Sequence, residues 1–213
     1  EPAGAAGRFR LGVVSGAWEN PEPEVESAFR VALGVLGKFA IIEEIHLPDL
    51  PFGATAGTVI AAEAASAFED LVESGRVAEL ADPGSRLGGY SSGMVYARDY
   101  LRALRLRGKL QKELDAVLAR YDALVAPTLP GVSSPLEANL EEVFAESDPV
   151  GGAGNCCGVP AVCVPMGFGA GHLPLGIQFV GRAREENRIL AVAKAYQSRT
   201  GWHRERPPAG NLQ

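Results

Sequence analysis

The chain has 213 residues, 46% apolar and 22% charged, a balance that suits a packed globular core and excludes a disordered chain. Its net charge of −6 argues against a nucleic-acid binder, whose affinity rests on neutralising phosphates. There is no run of about 18 uncharged apolar residues to cross a membrane, and the length fits one domain over 1–213.

In chain order, Phe9-Arg-Leu-Gly-Val-Val is a short apolar run ending at a Ser-Gly turn, as for a buried strand. Glu19-Asn-Pro-Glu-Pro-Glu then opens a helix, with acids at its positive end. Val25, Phe29, Leu33 and Leu36 form the apolar face of that helix, and Gly37 stops it. A second strand is expected over 39–47, making a βαβ unit whose simplest product is a parallel pair. Residues 55–75 and 94–121 read as two long helices, the second with Leu106, Leu110, Leu114 and Leu118 at i+4 spacing. Between them, 81–89 has the turn chemistry of a loop.

A strand over 123–126 closes at Pro127, and 127–160 is Pro-, Gly-, Ser- and Asn-rich, with at most a short helix near 137–146. Strands at 161–166 and 175–180 read as a hairpin. A helix over 185–198 turns Ile189, Val192, Ala193 and Tyr196 inward, and the tail from Pro207 is expected to fray. The alternation predicts an α/β architecture with a mixed β-sheet flanked by helices. The first residue is Glu and no signal-peptide pattern follows it, so the chain is read as beginning inside a longer cytoplasmic protein. Three Cys, two of them adjacent, do not make a disulfide framework.

Several strings invite chemistry. Gly89-Tyr-Ser91-Ser-Gly93 matches G-x-S-x-G, but a nucleophile elbow needs a strand directly before Ser91, and loop-like residues stand there. The plainer reading is a Gly-flanked helix cap. Gly151-Gly-Ala-Gly-Asn-Cys-Cys-Gly has Cys157 where a dinucleotide loop needs its third Gly, and reads as a tight backbone crossing. Cys156, Cys157 and Cys163 lack zinc-ligand spacing and are expected to be small buried hydrophobes. Arg98, Arg102, Arg105 and Lys109 form a basic helical stripe, read as a solvated face.

The second half carries a more specific pattern. Tyr121-Asp-Ala-Leu-Val-Ala-Pro-Thr-Leu-Pro is followed by Asn155-Cys-Cys-Gly-Val-Pro-Ala-Val-Cys-Val-Pro-Met-Gly and Leu173-Pro-Leu-Gly-Ile-Gln-Phe-Val-Gly. Then come Glu186-Asn-Arg-Ile-Leu-Ala-Val-Ala-Lys-Ala-Tyr-Gln and Thr200-Gly-Trp-His-Arg-Glu-Arg-Pro. Arg10-Leu-Gly-Val-Val, Ala62-Glu-Ala-Ala-Ser and the helix containing Arg107 sit in matching order in the first half. This ordered set resembles the C-terminal half of an amidase signature family enzyme.

The resemblance implies the C-terminal half of an α/β/α fold, and hydrolysis or transfer of the acyl group of a small-molecule amide by a Ser–cis-Ser–Lys triad. The Gly- and Ser-rich stretch of that triad is not found here. Lys38, Lys109, Lys112 and Lys194 stand in helix or helix-end contexts, not at the family's lysine position. No catalytic residue is therefore expected in this chain, and no metal or cofactor is implied. The carried-over pocket positions are Thr128, in the loop after a central strand, and Asn155, in the turn before the next strand. Asp148, seven residues before Asn155, matches a carboxylate that binds the substrate ammonium in the glutamine-using branch. An Asp in a loop is otherwise an N-cap or solvated. Isolated from the other half, the chain is expected to self-associate as a homo-oligomer through uncovered strand edges and an apolar surface, or to have unusually mobile loops around 80–93 and 130–155. Two other readings stay open: a non-catalytic chain that binds an amide or a protein partner, and an α/β-hydrolase using Ser91.

Overall fold

Phe9-Arg-Leu-Gly-Val-Val alternates too weakly for a half-exposed strand and is apolar enough for a central one. In the computed structural model, which describes residues 8–17, 20–138 and 148–206, it forms β1 (Phe9–Val14) in the middle of a sheet. Contacts divide the molecule into two units. One draws on Glu1–Leu47, Asp115–Pro135 and Val159–Gln213, the other on Pro48–Leu114 and Leu136–Gly158.

The first unit holds a five-stranded sheet of order β2-β1-β3-β5-β4, with β2 at Ala40–Ile45, β3 at Ala123–Pro127, β4 at Ala161–Phe168 and β5 at Pro174–Val180. The expected parallel pair is present, β1 also runs parallel to β3, and β5 is antiparallel to both β3 and β4. The sheet is therefore mixed, and β4–β5 is the hairpin read from the sequence. Helix α1 (Pro23–Leu36) starts with Pro at its first turn and Glu24 and Glu26 beside it, where the helix dipole favours negative charge. The side-chain period of two sends Leu11, Val13, Ala123, Val125, Ile177 and Phe179 to one face. There they pack with Val25, Ala32 and Leu36 of α1 and with the C-terminal helix Glu186–Gln197. That last helix buries Ile189, Val192, Ala193 and Tyr196, the four residues its periodicity selects.

The second unit is helical. Helix α2 (Phe52–Ala67) and the short α3 (Glu69–Glu73) replace the single helix expected over 55–75. The break at Phe68 lets a 3₁₀ turn, Arg76–Glu79, bring Val77 to burial. Val77 sits on Gly89, where a Cβ would lie 2.7 Å from its Cγ2. The loop expected at 81–89 is instead most of helix α4 (Pro83–Ser92). Its start is chemically ordinary: Asp82 accepts a bond from the Ser85 N–H at 2.6 Å, and Pro83 stands at the first turn. The same Asp-Pro-Gly-Ser residues serve a turn or a helix start, and packing of Gly89 selects the helix.

Helix α5 runs from Ala97 to Leu118, buries Ala103, Leu110, Leu114 and Leu118, and leaves the basic stripe in solvent. The crossing expected at 151–158 is also a helix, α6 (Pro149–Cys157), ended by Gly158 at φ +70°. The final helix, Glu186–Gln197, is α7. Of the short helix expected near 137–146, residues 139–146 lie outside the described residues, as does the tail from Pro207. No helix among the described residues is long and apolar enough to cross a membrane.

Candidate functional site

In open α/β sheets the carboxyl ends of the strands form a crevice where the strand order reverses. Here β1 has β2 on one side and β3 on the other, so the reversal lies between β1 and β3. At that edge a cavity of about 480 Å³ is walled by Val13, Ser15, Phe29, Ile42 and Pro127, with the carboxylates Glu26 and Glu44 also lining it. Thr128 is the residue directly after Pro127 and begins the loop leaving β3.

Because β5 runs antiparallel, its first residues lie at this same edge. The Thr128 N–H donates to the Gly176 carbonyl at 2.8 Å. The Thr128 Oγ1 is itself buried and has no hydrogen-bond partner among the described residues. A Cβ on Gly176 would stand 2.8 Å from that oxygen, so the absence of a side chain at 176 is what admits the hydroxyl. Two residues along β5, on the same face, Gln178 is buried to 4% exposure and its Nε2 donates to the Pro127 carbonyl at 3.1 Å. A buried amide of this kind is costly unless bonded.

Asp148 and Asn155 belong to the helical unit and share α6. The Asp148 Oδ1 accepts from the Val150 N–H at 2.9 Å, which is the N-cap role that residue type predicts. Asn155 lies seven residues on, exposed on the helix. The far end of α6 is clamped to α5: Arg107 Nε donates to the Cys156 carbonyl at 2.7 Å, and Gln111 Nε2 to the Cys157 carbonyl at 3.0 Å. A cation at a helix C-terminus also complements the dipole. Arg107 and Gln178 stand within the strings of the family pattern but were not among the expected site residues. The polar position inside the apolar run Gly-Ile-Gln-Phe-Val was the available signal for Gln178, whereas nothing local marks Arg107 as the partner of a helix end.

The remaining candidates resolve as framework. Ser91 lies inside α4 with no strand before it, and both Ser91 and Ser92 donate to the Gly88 carbonyl, at 3.1 and 2.8 Å. An elbow is excluded by that geometry, and the serines are back-bonded, not caps. Cys156 and Cys157 are buried as expected, but Cys163 is exposed on the edge strand β4. Burial pushes the Cys157 thiol up to about 11 and also raises that of Cys156, which suppresses thiolate formation. No cluster of metal-ligating side chains is found among the described residues.

Known proteins share this fold and this residue pattern. The family model described as Amidase matches residues 3–190, and the chain belongs to that family. It is 34% identical over 211 residues to a glutamyl-tRNA(Gln) amidotransferase subunit from Roseiflexus sp. (strain RS-1), a match covering 87% of this chain and 43% of that protein. A crystal structure of an amidase superposes with a TM-score of 0.79 at 25% identity, over 94% of this chain and 48% of that one. A bacterial aryl acylamidase of the amidase signature family shares the fold at a TM-score of 0.76 and 17% identity, over 93% of this chain and 45% of its own. The chain thus spans less than half the length of these relatives.

Proposed function

We propose that this chain is the C-terminal part of an amidase signature domain in a cytoplasmic enzyme that cleaves or transfers the acyl group of a small-molecule amide. The observation that carries the reading is the buried Thr128 hydroxyl at the carboxyl edge of the sheet, without a hydrogen-bond partner among the described residues, in a chain of the amidase family. A fixed hydroxyl at that edge is suited to bond an amide carbonyl, and little reorganisation is needed when charge develops there. Asp148, as a helix cap, offers a carboxylate held in place by backbone for a substrate ammonium, and Asn155 offers an amide on the same helix. The amidotransferase relatives favour an ammonium-bearing substrate such as glutamine, and a protein partner in a larger assembly.

The chain by itself supplies no activated nucleophile among its described residues, and it is expected to turn over no amide. The test is a panel of aliphatic, aryl and glutamine amides, assayed with this chain and with the full-length enzyme. Thr128→Ala or Asn155→Ala should lower full-length turnover by about 10- to 100-fold, the scale of misplacing a substrate by about an ångström. Unchanged turnover in both variants would remove the proposed site.

A further inference from the structure

Thr128 does not hold its own position. Its hydrogen bond among the described residues is the backbone one to Gly176, and its side chain rests against the bare Cα of that residue. The residue before it, Pro127, faces Ile177 at a non-hydrogen-bonded position of the antiparallel ladder, so the backbone bonds to β5 at this end are those of the flanking pairs, Ala126 with Gln178 and Thr128 with Gly176. At that point the buried Gln178 side chain reaches across to the Pro127 carbonyl.

We infer that Gly176 and Gln178 are positioning residues for Thr128: Gln178 pins the exit of β3, and Gly176 leaves the single space in which the hydroxyl fits. This rests on Thr128 being a substrate-contacting group. Neither residue touches the substrate. They act through one another's strand, as a two-point lock spaced by the period of β5.

Two measurements on the 213-residue chain test the lock without any activity. In NMR, Gln178→Leu should let the Thr128 side chain average over rotamers and speed exchange of its amide at least tenfold, while the Phe179 amide stays protected. Gln178→Glu should restore the wild-type Thr128 signals only at low pH, where a protonated carboxyl can donate to the Pro127 carbonyl. Separately, Gly176→Ala should lower Tm by about 2–10 °C through overpacking, and Thr128→Ala in the same chain should restore most of that loss.

An unaltered Thr128 rotamer in Gln178→Leu overturns the inference. So does a Gly176→Ala loss of equal size with or without Thr128→Ala. If the lock behaves as stated but Thr128→Ala leaves full-length turnover intact, the positioning stands and the substrate role falls. In the full-length enzyme the lock predicts a fall in kcat for Gln178→Leu with KM little changed, because a displaced hydroxyl affects the reacting carbonyl more than ground-state binding.

Discussion

Leu11, Ile177, Phe179 and Tyr196 of the sheet unit are excluded from water entirely, whereas Ile60, Phe68, Met94 and Tyr96 of the helical unit stand 58–77% exposed. The sheet unit buries its main apolar cluster on one face of the sheet, under two helices, α1 and α7. The helical unit buries fewer large side chains, Phe52, Leu110 and Leu114, and adds close contacts such as Val77 on Gly89 and the Arg107 bond to the Cys156 carbonyl. The difference is between a core built from large side chains in register and one in which fewer large side chains are joined by close backbone approach. Large apolar contacts resist perturbation at a distance, while close approaches depend on single glycines and single caps.

Three experiments bear on that contrast. Phe179→Ala removes a fully buried ring from an interior strand of the sheet and should cost about 3–5 kcal/mol in urea denaturation. A loss below about 1 kcal/mol would mean that the sheet face is not the main store of stability. The pH response is smaller and separates the two units by its window. Burial pushes the Tyr196 phenol from 10.0 up to about 12, and the Cys157 thiol from 9.0 up to about 11.

Both groups fold in their neutral form. Their contribution is complete below the unfolded pKa and is lost as pH rises through the folded one. The helical unit should therefore begin to weaken near pH 9 and the sheet unit near pH 10. Cys157→Ala should flatten the stability curve in the first interval and Tyr196→Phe in the second. Since the Tyr196 hydroxyl has no partner among the described residues, Tyr196→Phe should also leave stability at neutral pH unchanged or raised. Superimposable curves for wild type and both variants would contradict the burial argument.

The smallest effect belongs to the exposed apolar side chains of the helical unit. Met94→Ser should change stability by less than about 0.5 kcal/mol, because its side chain is 77% exposed. A cost approaching that of Phe179→Ala would show that Met94 is covered in solution, and it would erase the contrast between the units.

The sheet unit was also the part that could be read from residue order. Strand, helix and strand from Phe9 to Ile45, the closing of β3 at Pro127, the β4–β5 hairpin and the inward face of α7 all follow from apolar period and turn residues. Those signals are local, and each element satisfies its own backbone bonds or pairs with a near neighbour. The helices α4 and α6 were not legible, because Gly-, Ser- and Pro-rich segments carry no apolar period. They become helices through the Asp82 and Asp148 caps, together with tertiary partners such as Val77, Arg107 and Gln111. Asp82 and Asp148 were visible as residues, but whether an Asp-Pro pair opens a turn or a helix depends on what packs against the next turn.

The same division applies to the candidate site. Residue order by itself determined the family pattern and pointed to Thr128, Asp148 and Asn155 as positions. That Asp148 caps the helix α6 that carries Asn155, and that Thr128 bonds Gly176 and Pro127 bonds Gln178 about fifty residues away in sequence, was decided only by the tertiary structure. The reason is physical: hydrophobic period is written along the chain, whereas strand order and the burial of a single hydroxyl arise from contacts between segments that no local pattern encodes.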